Sequence, residues 1–116
     1  MKILVIGAGL VLALPTGPAW GNATDSAAEL LPACQQFHQL PLPSVTFVMA
    51  YNEGKCVGII LGVEETADDV CIPNGITTDQ KVRVVIEYID QRPERLNEPF
   101  ARLAHEALKA AWPCKP

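Results

Sequence analysis

The sequence predicts a small helical domain that is tied together by disulfide bonds and ends in an antiparallel helical hairpin. Three observations lead to this prediction. The chain has 116 residues, which is enough for one small domain. Two C-terminal segments carry apolar residues at helical spacing. Four cysteines follow an N-terminal stretch that has the composition of an export signal.

The overall composition excludes two classes of protein. The chain is acidic, with 9 Lys and Arg against 13 Asp and Glu and a formal net charge of −4. It has no cluster of Lys or Arg, so we expect no nucleic-acid partner. Hydrophobic residues make up 49% of the chain, which is too many for a disordered protein and enough for a core.

The N-terminal segment has the pattern of a secretory signal peptide. Lys2 is followed by an apolar run that reaches Leu14, and small residues then stand two positions apart at Ala19 and Gly21. A short positive start, about a dozen apolar residues and a small-x-small exit are typical of such a signal. A retained membrane anchor is the alternative, but a spanning helix needs about 20 apolar residues.

We place the cleavage after Gly21, with Ala23 as the alternative site. Residues 1–21 are then the signal peptide and residues 22–116 the mature domain. Loss of Lys2 changes the formal net charge from −4 to −5. The mature domain is expected in the periplasm, without association with a membrane.

The cysteines indicate two structural disulfides. All four lie in the mature domain, and an even number in a small exported chain is usually paired. No two of them are separated by two residues, which argues against a zinc ribbon and against a thioredoxin-like motif. The four are Cys34, Cys56, Cys71 and Cys114.

The first half of the mature domain gives weaker signals. Asp25 or Ser26 can cap a helix that reaches Phe37. Pro32 either kinks this helix or lies in the first turn of a shorter one, because an interior proline removes a backbone hydrogen bond.

The stretch Ser44–Val63 allows two interpretations. Its β-branched and apolar runs permit two strands, joined by a turn at Asn52-Glu53-Gly54. In the alternative, a single helix, Gly58 and Gly62 lie on one side and allow another helix to approach closely. Composition leaves this choice open.

A run of acidic residues follows this stretch, and no basic residue lies between Lys55 and Lys81. It is a candidate surface for a basic partner, because complementary charge raises association rates. The simpler interpretation is a solvated helix end. We call this run the acidic exit: Glu64, Glu65, Asp68 and Asp69.

Two helices are predicted in the C-terminal half. Thr77 and Gln80 have the spacing of a capping box, and Pro93 ends the first helix. Asn97 is the predicted cap of the second helix, with Pro99 in its first turn. A short linker between them predicts an antiparallel hairpin. The apolar faces consist of Val82, Val85, Ile86 and Ile89 in the first helix, and of Phe100, Leu103, Ala104, Ala107, Leu108 and Ala111 in the second.

The hairpin also predicts the disulfide pairing. Cys71 lies just before its first helix and Cys114 just after its second, so antiparallel packing brings them together. Cys34 then pairs with Cys56 and ties the N-terminal helix to the central segment.

Candidates for catalysis are few. His38 and His105 are the only histidines, and no metal-ligand spacing surrounds them. A metal-dependent hydrolase that uses both is therefore the weakest hypothesis of function. A cysteine nucleophile needs a free thiolate, whereas each cysteine has a predicted partner. We predict no catalytic residue, no cofactor and no metal site.

The second half of the chain carries an ordered set of short motifs, each of them weak alone but specific as a set. They are Cys56-Val57-Gly58-Ile59-Ile60-Leu61-Gly62-Val63, Cys71-Ile72-Pro73-Asn74-Gly75-Ile76-Thr77, Tyr88, Arg92-Pro93-Glu94-Arg95-Leu96, Ala107-Leu108 and Ala111-Trp112-Pro113-Cys114. With this set the chain resembles the Rap/Tai immunity family. These are small exported bacterial proteins, typified by the antidotes to cell-wall amidase effectors of type VI secretion. The resemblance covers about Cys56 to Cys114.

The resemblance implies an all-α fold, and therefore a helix over Ser44–Val63 and about four helices in total. It also implies a periplasmic protein without catalysis of its own. Such a protein binds and blocks a peptidoglycan amidase or peptidase effector, and it often forms a homodimer. The chain departs from the family at Ile59, where an aromatic residue is usual. A housekeeping or stress-related envelope protein without a toxin partner is the alternative function.

Overall fold

The computed structural model describes residues 7, 9, 25–39, 41 and 44–116, and within them it has four α-helices and no strand. The predicted all-α fold of about four helices is confirmed. The predicted signal peptide lies outside the described residues apart from Gly7 and Gly9, and it stays a prediction. The helices are α1 (Ala27–His38), α2 (Phe47–Thr66), α3 (Thr78–Asp90) and α4 (Phe100–Ala111), with a 3₁₀-helix at Pro93–Arg95 between α3 and α4.

Side-chain caps start three of the helices, and at α1 and α3 they form capping boxes. Ser26 and Glu29 form a capping box at α1, in which each side chain accepts a hydrogen bond from the other residue's backbone N–H. Thr77 and Gln80 do the same at α3, with distances of 2.8 and 3.2 Å. These caps satisfy backbone donors that have no partner within the helix. The predicted capping pair at α3 is present, and Pro32 lies inside α1.

The start of α4 corrects one prediction. Pro99, not Asn97, occupies the cap position, and no side chain caps the helix. The N–H of Phe100 donates instead to the carbonyl of Asp25, at 2.9 Å. The backbone of Ala27 also donates to Glu98, so the chain before α1 runs along the chain before α4. A main-chain carbonyl thus accepts the hydrogen bond that a capping side chain was expected to accept.

The central stretch forms one helix of 20 residues, α2. Thr46 caps it by accepting a hydrogen bond from the N–H of Met49, at 3.2 Å. The close helix approach expected at Gly58 and Gly62 is wrong. Both glycines are exposed, and a Cβ added at either would have no heavy atom of the described residues within 4 Å.

The core lies where one face of each helix meets the others, with α1 against α2, α2 against α4 and α3 against α4. The predicted apolar faces of α3 and α4 are buried, except that Ala111 at the end of α4 is exposed. Burial of these side chains is the main favourable term in the stability of the fold. The core consists of Ala27, Leu30, Cys34, Cys56, Ile60, Val70, Val82, Val85, Ile86, Ile89, Phe100, Leu103, Ala104, Ala107 and Leu108.

Two disulfides staple the helices, in the same pairs that the sequence predicts. Cys34–Cys56 joins α1 to α2 with a Cα–Cα distance of 5.5 Å, and both residues are fully buried. Cys71–Cys114 joins the two ends of the hairpin with a Cα–Cα distance of 4.9 Å. Cys71 is exposed, and its N–H donates to the carbonyl of Trp112 at 2.9 Å. We call the first pair the buried disulfide and the second the surface disulfide.

Candidate interaction surface

Helix α2 is fixed to the rest of the protein in its middle and near its C-terminal end. Lys55 forms an ion pair with Asp25, which precedes α1. Near the C-terminal end of α2, the ammonium group of Lys81 in α3 donates to both carboxylate oxygens of Glu64, at 3.0 and 2.7 Å. The buried disulfide holds the middle of the helix at Cys56. Because α2 is held at three points, its outward face is presented in one orientation.

The acidic exit is only partly free for a partner. Glu64 is paired with Lys81 as described, and Asp69 accepts from His105 Nε2 at 2.6 Å and lies 3.3 Å from the ammonium group of Lys109. The hydrogen bond from His105 is the main reason why the pKa of Asp69 lies below its ordinary value. The side chains of Glu65 and Asp68 are exposed. Half of the predicted acidic surface is therefore engaged within the molecule.

The two histidines lie in separate pairs. His38 Nδ1 at the end of α1 is 2.8 Å from a carboxylate oxygen of Asp79 in α3, and Arg83 donates to the other oxygen at 3.0 Å. The hydrogen bond with His38 is the main cause of the lowered pKa of Asp79. His105 pairs with Asp69. In the described part of the chain, no group of three or more His, Cys, Asp or Glu side chains is placed to hold a metal ion.

A compact ionic cluster holds the linker between α3 and α4. The guanidinium group of Arg95 donates to Glu98 at 3.0 Å and to Glu106 at 2.6 and 2.9 Å, and the Tyr88 hydroxyl donates to Glu106 at 2.9 Å. Arg92 stacks on the Tyr88 ring, 3.6 Å from its centroid. Bidentate pairing and stacking of this kind fix planar guanidinium groups in one geometry. The linker is therefore a rigid part of the molecule.

The same cluster shifts the pKa values of its acids. Hydrogen bonds from Arg95 lower the pKa of Glu98 and of Glu106, and the two carboxylates in turn raise the pKa of Arg95. Each lowered carboxyl pKa means that the folded state favours the ionised form. We call the four groups with a lowered pKa the paired carboxyl groups: Asp69, Asp79, Glu98 and Glu106.

The outward face of α2 is apolar at its start. Among the described residues, the exposed large hydrophobic side chains all lie there: Phe47 is 84% exposed, Val48 63%, Tyr51 58% and Val45, just before the helix, 46%. A contiguous exposed apolar patch on a small protein is often an interaction site. Sequence reasoning missed it, because a strand was an open interpretation for these residues.

Three exposed glycines continue this face toward the end of the helix. Gly54, Gly58 and Gly62 follow at intervals of four residues, on the side of α2 opposite to the buried Cys56 and Ile60. At each of them, an added Cβ would lie more than 4 Å from the other heavy atoms in the described part of the chain. We call this surface the open face of α2: Phe47, Val48, Tyr51, Gly54, Gly58 and Gly62.

A comparison with known protein families shows to which family the chain belongs. The family of Rap1a immunity proteins matches residues 26–114, a range that contains all four helices and both disulfides. The chain belongs to the Rap1a immunity protein family. Comparison with curated proteins and with solved structures found no match.

Membership in the Rap1a family indicates the function of the chain in general terms. Rap1a proteins are immunity proteins, which implies that the chain binds a cognate secreted effector. The family is generally non-catalytic. The disulfides and the family fit a protein that works outside the cytoplasm. Within the ranges that the structure describes, no helix is long and apolar enough to cross a membrane.

Several of the residues that carry the family resemblance have a structural role in this Rap1a protein. Cys71 and Cys114 close the hairpin, and Tyr88, Arg92 and Arg95 build the ionic cluster at its linker. They explain why the fold is specified by so few short motifs. They do not overlap with the apolar start of α2 or with the exposed residues of the acidic exit.

Proposed function

We propose that residues 22–116 are a periplasmic immunity protein that binds a type VI secretion effector, a peptidoglycan amidase or peptidase, and blocks its catalytic cleft. Residues 1–21 serve as the signal peptide for export. The observation that carries the proposal is the Rap1a match over all four helices and both disulfides. The protein neutralises the effector by occupancy and performs no reaction.

Rigidity supports this mode of action. A blocking protein binds more tightly when its surface is already ordered, because less conformational entropy is lost on binding. The buried disulfide and the ion pairs of Lys55 and Glu64 hold α2 in place, and Arg95 holds the linker of the hairpin.

The exposed acids of the acidic exit are proposed to guide the effector. Glu65 and Asp68 are exposed and add to a net negative chain. A basic effector surface would be attracted toward them during diffusional encounter, which raises the association rate more than the affinity. The proposal also includes a homodimer as the form of the free protein.

The decisive experiment is inhibition of the secreted amidase encoded beside this gene. The oxidised mature protein is expected to stop peptidoglycan hydrolysis by that enzyme at a stoichiometric ratio. Reduced and alkylated protein serves as the control and is expected to inhibit poorly. An unimpaired amidase in the presence of oxidised protein, or the absence of an effector gene beside this one, would contradict the proposal.

The guiding role of the acidic exit has its own test. The isosteric double variant Glu65→Gln/Asp68→Asn removes two charges without changing shape. We expect its association rate with the amidase to fall by about threefold at low salt and to match wild type at about 0.5 M salt, because exposed charges are screened there. Equal rates at low salt would remove this role and leave the inhibition untouched.

A further inference from the structure

We propose that the effector binds along the open face of α2 and on the two exposed acids that follow it, Glu65 and Asp68. The segment of the effector that lies there carries apolar side chains at one end and Lys or Arg side chains at the other. This inference rests on the proposed function and assigns the contact surface of the inhibitor.

The face has two chemically different ends. Phe47 and Tyr51 stand one helical turn apart at its start and are 84% and 58% exposed. Glu65 is also exposed, and it follows Gly58 and Gly62 at steps of four and three residues, which keeps it on the same side of the helix. At a rise of about 1.5 Å per residue, Phe47 and Glu65 are separated by about 27 Å along the axis. One helix therefore displays an apolar end and an acidic end at a fixed distance.

The apolar end is large enough to anchor a partner. Phe47 and Tyr51, with Val45 and Val48 beside them, expose on the order of 400 Å² of apolar side chain, taking about 200 Å² for a whole aromatic residue. A patch of this size is typical of interaction sites on small monomers. Tyrosine is enriched among the residues that carry most of the binding energy, and phenylalanine is enriched in interfaces generally. We therefore assign the affinity for the effector mainly to this end of the face.

The middle of the face leaves space for the main chain of the partner. Gly54, Gly58 and Gly62 are exposed, and no heavy atom of the described residues lies within 4 Å of a Cβ placed at any of them. Glycine lets another chain approach the backbone closely, because no side chain intervenes. Packing within the described molecule thus gives no reason for small residues here, whereas a segment laid along the helix does.

Charge selects the kind of segment that fits. The carboxylates of Glu65 and Asp68 form no ion pair with the described residues, unlike the two other members of the acidic exit. A partner that covers them must supply cations, because a carboxylate that loses water without gaining a partner is costly. At the other end, residues 44–51 carry no charge, so apolar side chains pack there without loss. The complementary segment is therefore apolar at one end and basic at the other.

The same charge argument favours a protein over a lipid surface. Apolar patches on proteins also insert into membranes. Here the acidic end of the face and the negative net charge of the chain would be repelled by anionic lipid headgroups. A basic segment of a protein is attracted by the same charges.

Helix α2 is held so that both ends of the face keep their spacing when the effector arrives. The buried disulfide and the ion pair of Lys55 fix its middle, and the ion pair of Glu64 fixes its C-terminal end. Less conformational entropy is then lost on binding. A partner that covers the whole face and its flanks buries on the order of 1,200 Å² in total, the lower end of specific interfaces.

The first test separates the dissociation rate from the association rate. The probe is the secreted amidase encoded beside this gene, and its binding to the oxidised mature protein is followed by biolayer interferometry. We expect Tyr51→Ala and Gly58→Tyr each to raise the dissociation rate constant about tenfold or more, because one removes a ring and the other fills the space over the helix backbone. The association rate constant is expected to stay within about threefold of wild type, since neither variant changes a charge.

The second test concerns the acidic end of the face. We expect Glu65→Arg to weaken binding about tenfold at low salt, because it places a cation against the basic end of the segment. Glu87→Arg is the matched control, since Glu87 is exposed on α3 and its reversal changes the net charge by the same amount. Its affinity is expected to stay within about twofold of wild type. Equal losses in the two variants would assign the effect to net charge and overturn the acidic end as a contact.

Photo-crosslinking tests the contact without relying on energies. p-Benzoylphenylalanine in place of Phe47 is expected to form a covalent adduct with the amidase on irradiation. The same residue in place of Glu87 is expected to form none. An adduct from position 87 and none from position 47 would overturn the assignment of the surface.

Controls keep this inference apart from the proposed function. Circular dichroism and disulfide mapping verify the fold of each variant. A wild-type protein that neither binds nor inhibits the amidase overturns the immunity role itself. Inhibition by the wild type that Tyr51→Ala, Gly58→Tyr and Glu65→Arg all retain unchanged overturns the surface alone.

Two further outcomes would assign the open face of α2 to another occupant. Weaker inhibition that accompanies a changed oligomeric state of the free variant, read by sedimentation velocity, assigns it to a second copy of the chain. Binding of the wild-type protein to vesicles of anionic phospholipid, abolished by Tyr51→Ala, assigns it to a membrane. Either result overturns the effector as the occupant.

Discussion

The open face of α2 predicts that Gly58→Ala stabilises the protein. Gly58 lies in the middle of the helix and is exposed, and among the residues that the structure describes no heavy atom lies within 4 Å of the position of an added Cβ. Glycine inside a helix costs about 0.5–1 kcal/mol relative to alanine, because its backbone loses more freedom on folding. For a domain of this size, we expect the melting temperature to rise by about 2–8 °C.

Gly75→Ala is the matched control for this prediction. A Cβ added at Gly75 would also have no heavy atom within 4 Å in the described ranges of the chain, but the φ of Gly75 is +92°. An L-residue in that left-handed conformation costs roughly 1–2 kcal/mol, so the same methyl group is expected to destabilise the protein here. The opposite signs of the two variants separate backbone conformation from available space.

The assay is thermal and urea unfolding of the oxidised mature protein at low concentration, where self-association contributes little. Fitting both transitions gives the change in the free energy of unfolding. A destabilised Gly58→Ala monomer with unchanged circular dichroism would show that the open face of α2 is in contact with another part of the molecule. That result would refute the stability argument.

Three further predictions concern acid, reductant and the aromatic residues. The pKa of each paired carboxyl group is lowered in the folded state. The stability that these groups give to the fold is therefore complete above the carboxyl pKa of the unfolded chain, about 4, and is lost as pH falls through the folded pKa. Thermal scans from about pH 7 to about pH 3 are expected to show a falling melting temperature, and a constant melting temperature would contradict this. Limited reduction and alkylation, read by mass spectrometry, are expected to label the surface disulfide before the buried disulfide, and the reverse order would contradict the burial of Cys34 and Cys56. Phe100→Ala is expected to lower the free energy of unfolding by about 3–5 kcal/mol, because the Phe100 ring is fully buried. Phe47→Ala is expected to lower it by less than about 0.5 kcal/mol, because the Phe47 ring is 84% exposed. Similar urea midpoints for the two variants would contradict the assignment of Phe100 to the core.

The hairpin was predictable because its signals are local. The capping pair Thr77 and Gln80 marks the start of α3, Pro93 follows its end, and apolar residues recur with the helical period between them. Once the hairpin is recognised, the proximity of Cys71 and Cys114 follows from its topology.

Helix α2 was harder to predict because aromatic residues lie on its exposed side and an acidic residue lies on its buried side. Phe47 and Tyr51 point outward, whereas Glu53 is buried, 6% exposed, and its Oε1 accepts no hydrogen bond from the described residues. Periodicity identifies a helix when apolar residues mark the inner face. Here the family resemblance identified the helix, and only the structure shows which face is exposed.

The state of the acidic exit also could not be predicted from the sequence. Asp69 pairs with His105, which is 36 residues away, and Glu64 pairs with Lys81 across two helices. Charge runs show where acids are dense, but they do not show which acids find a basic partner in the fold. The sequence therefore overestimated the free negative surface.

The three glycines of α2 make the folding of this helix dependent on its disulfide bond. Three helix-interior glycines reduce the intrinsic helix stability by about 1.5–3 kcal/mol relative to alanines, so α2 relies on its tertiary contacts and on the disulfide bond to α1. That bond forms only under oxidising conditions. In a reducing environment the chain would thus lack the covalent tie on which α2 relies, and we expect the helix to become fully ordered only after the tie has formed.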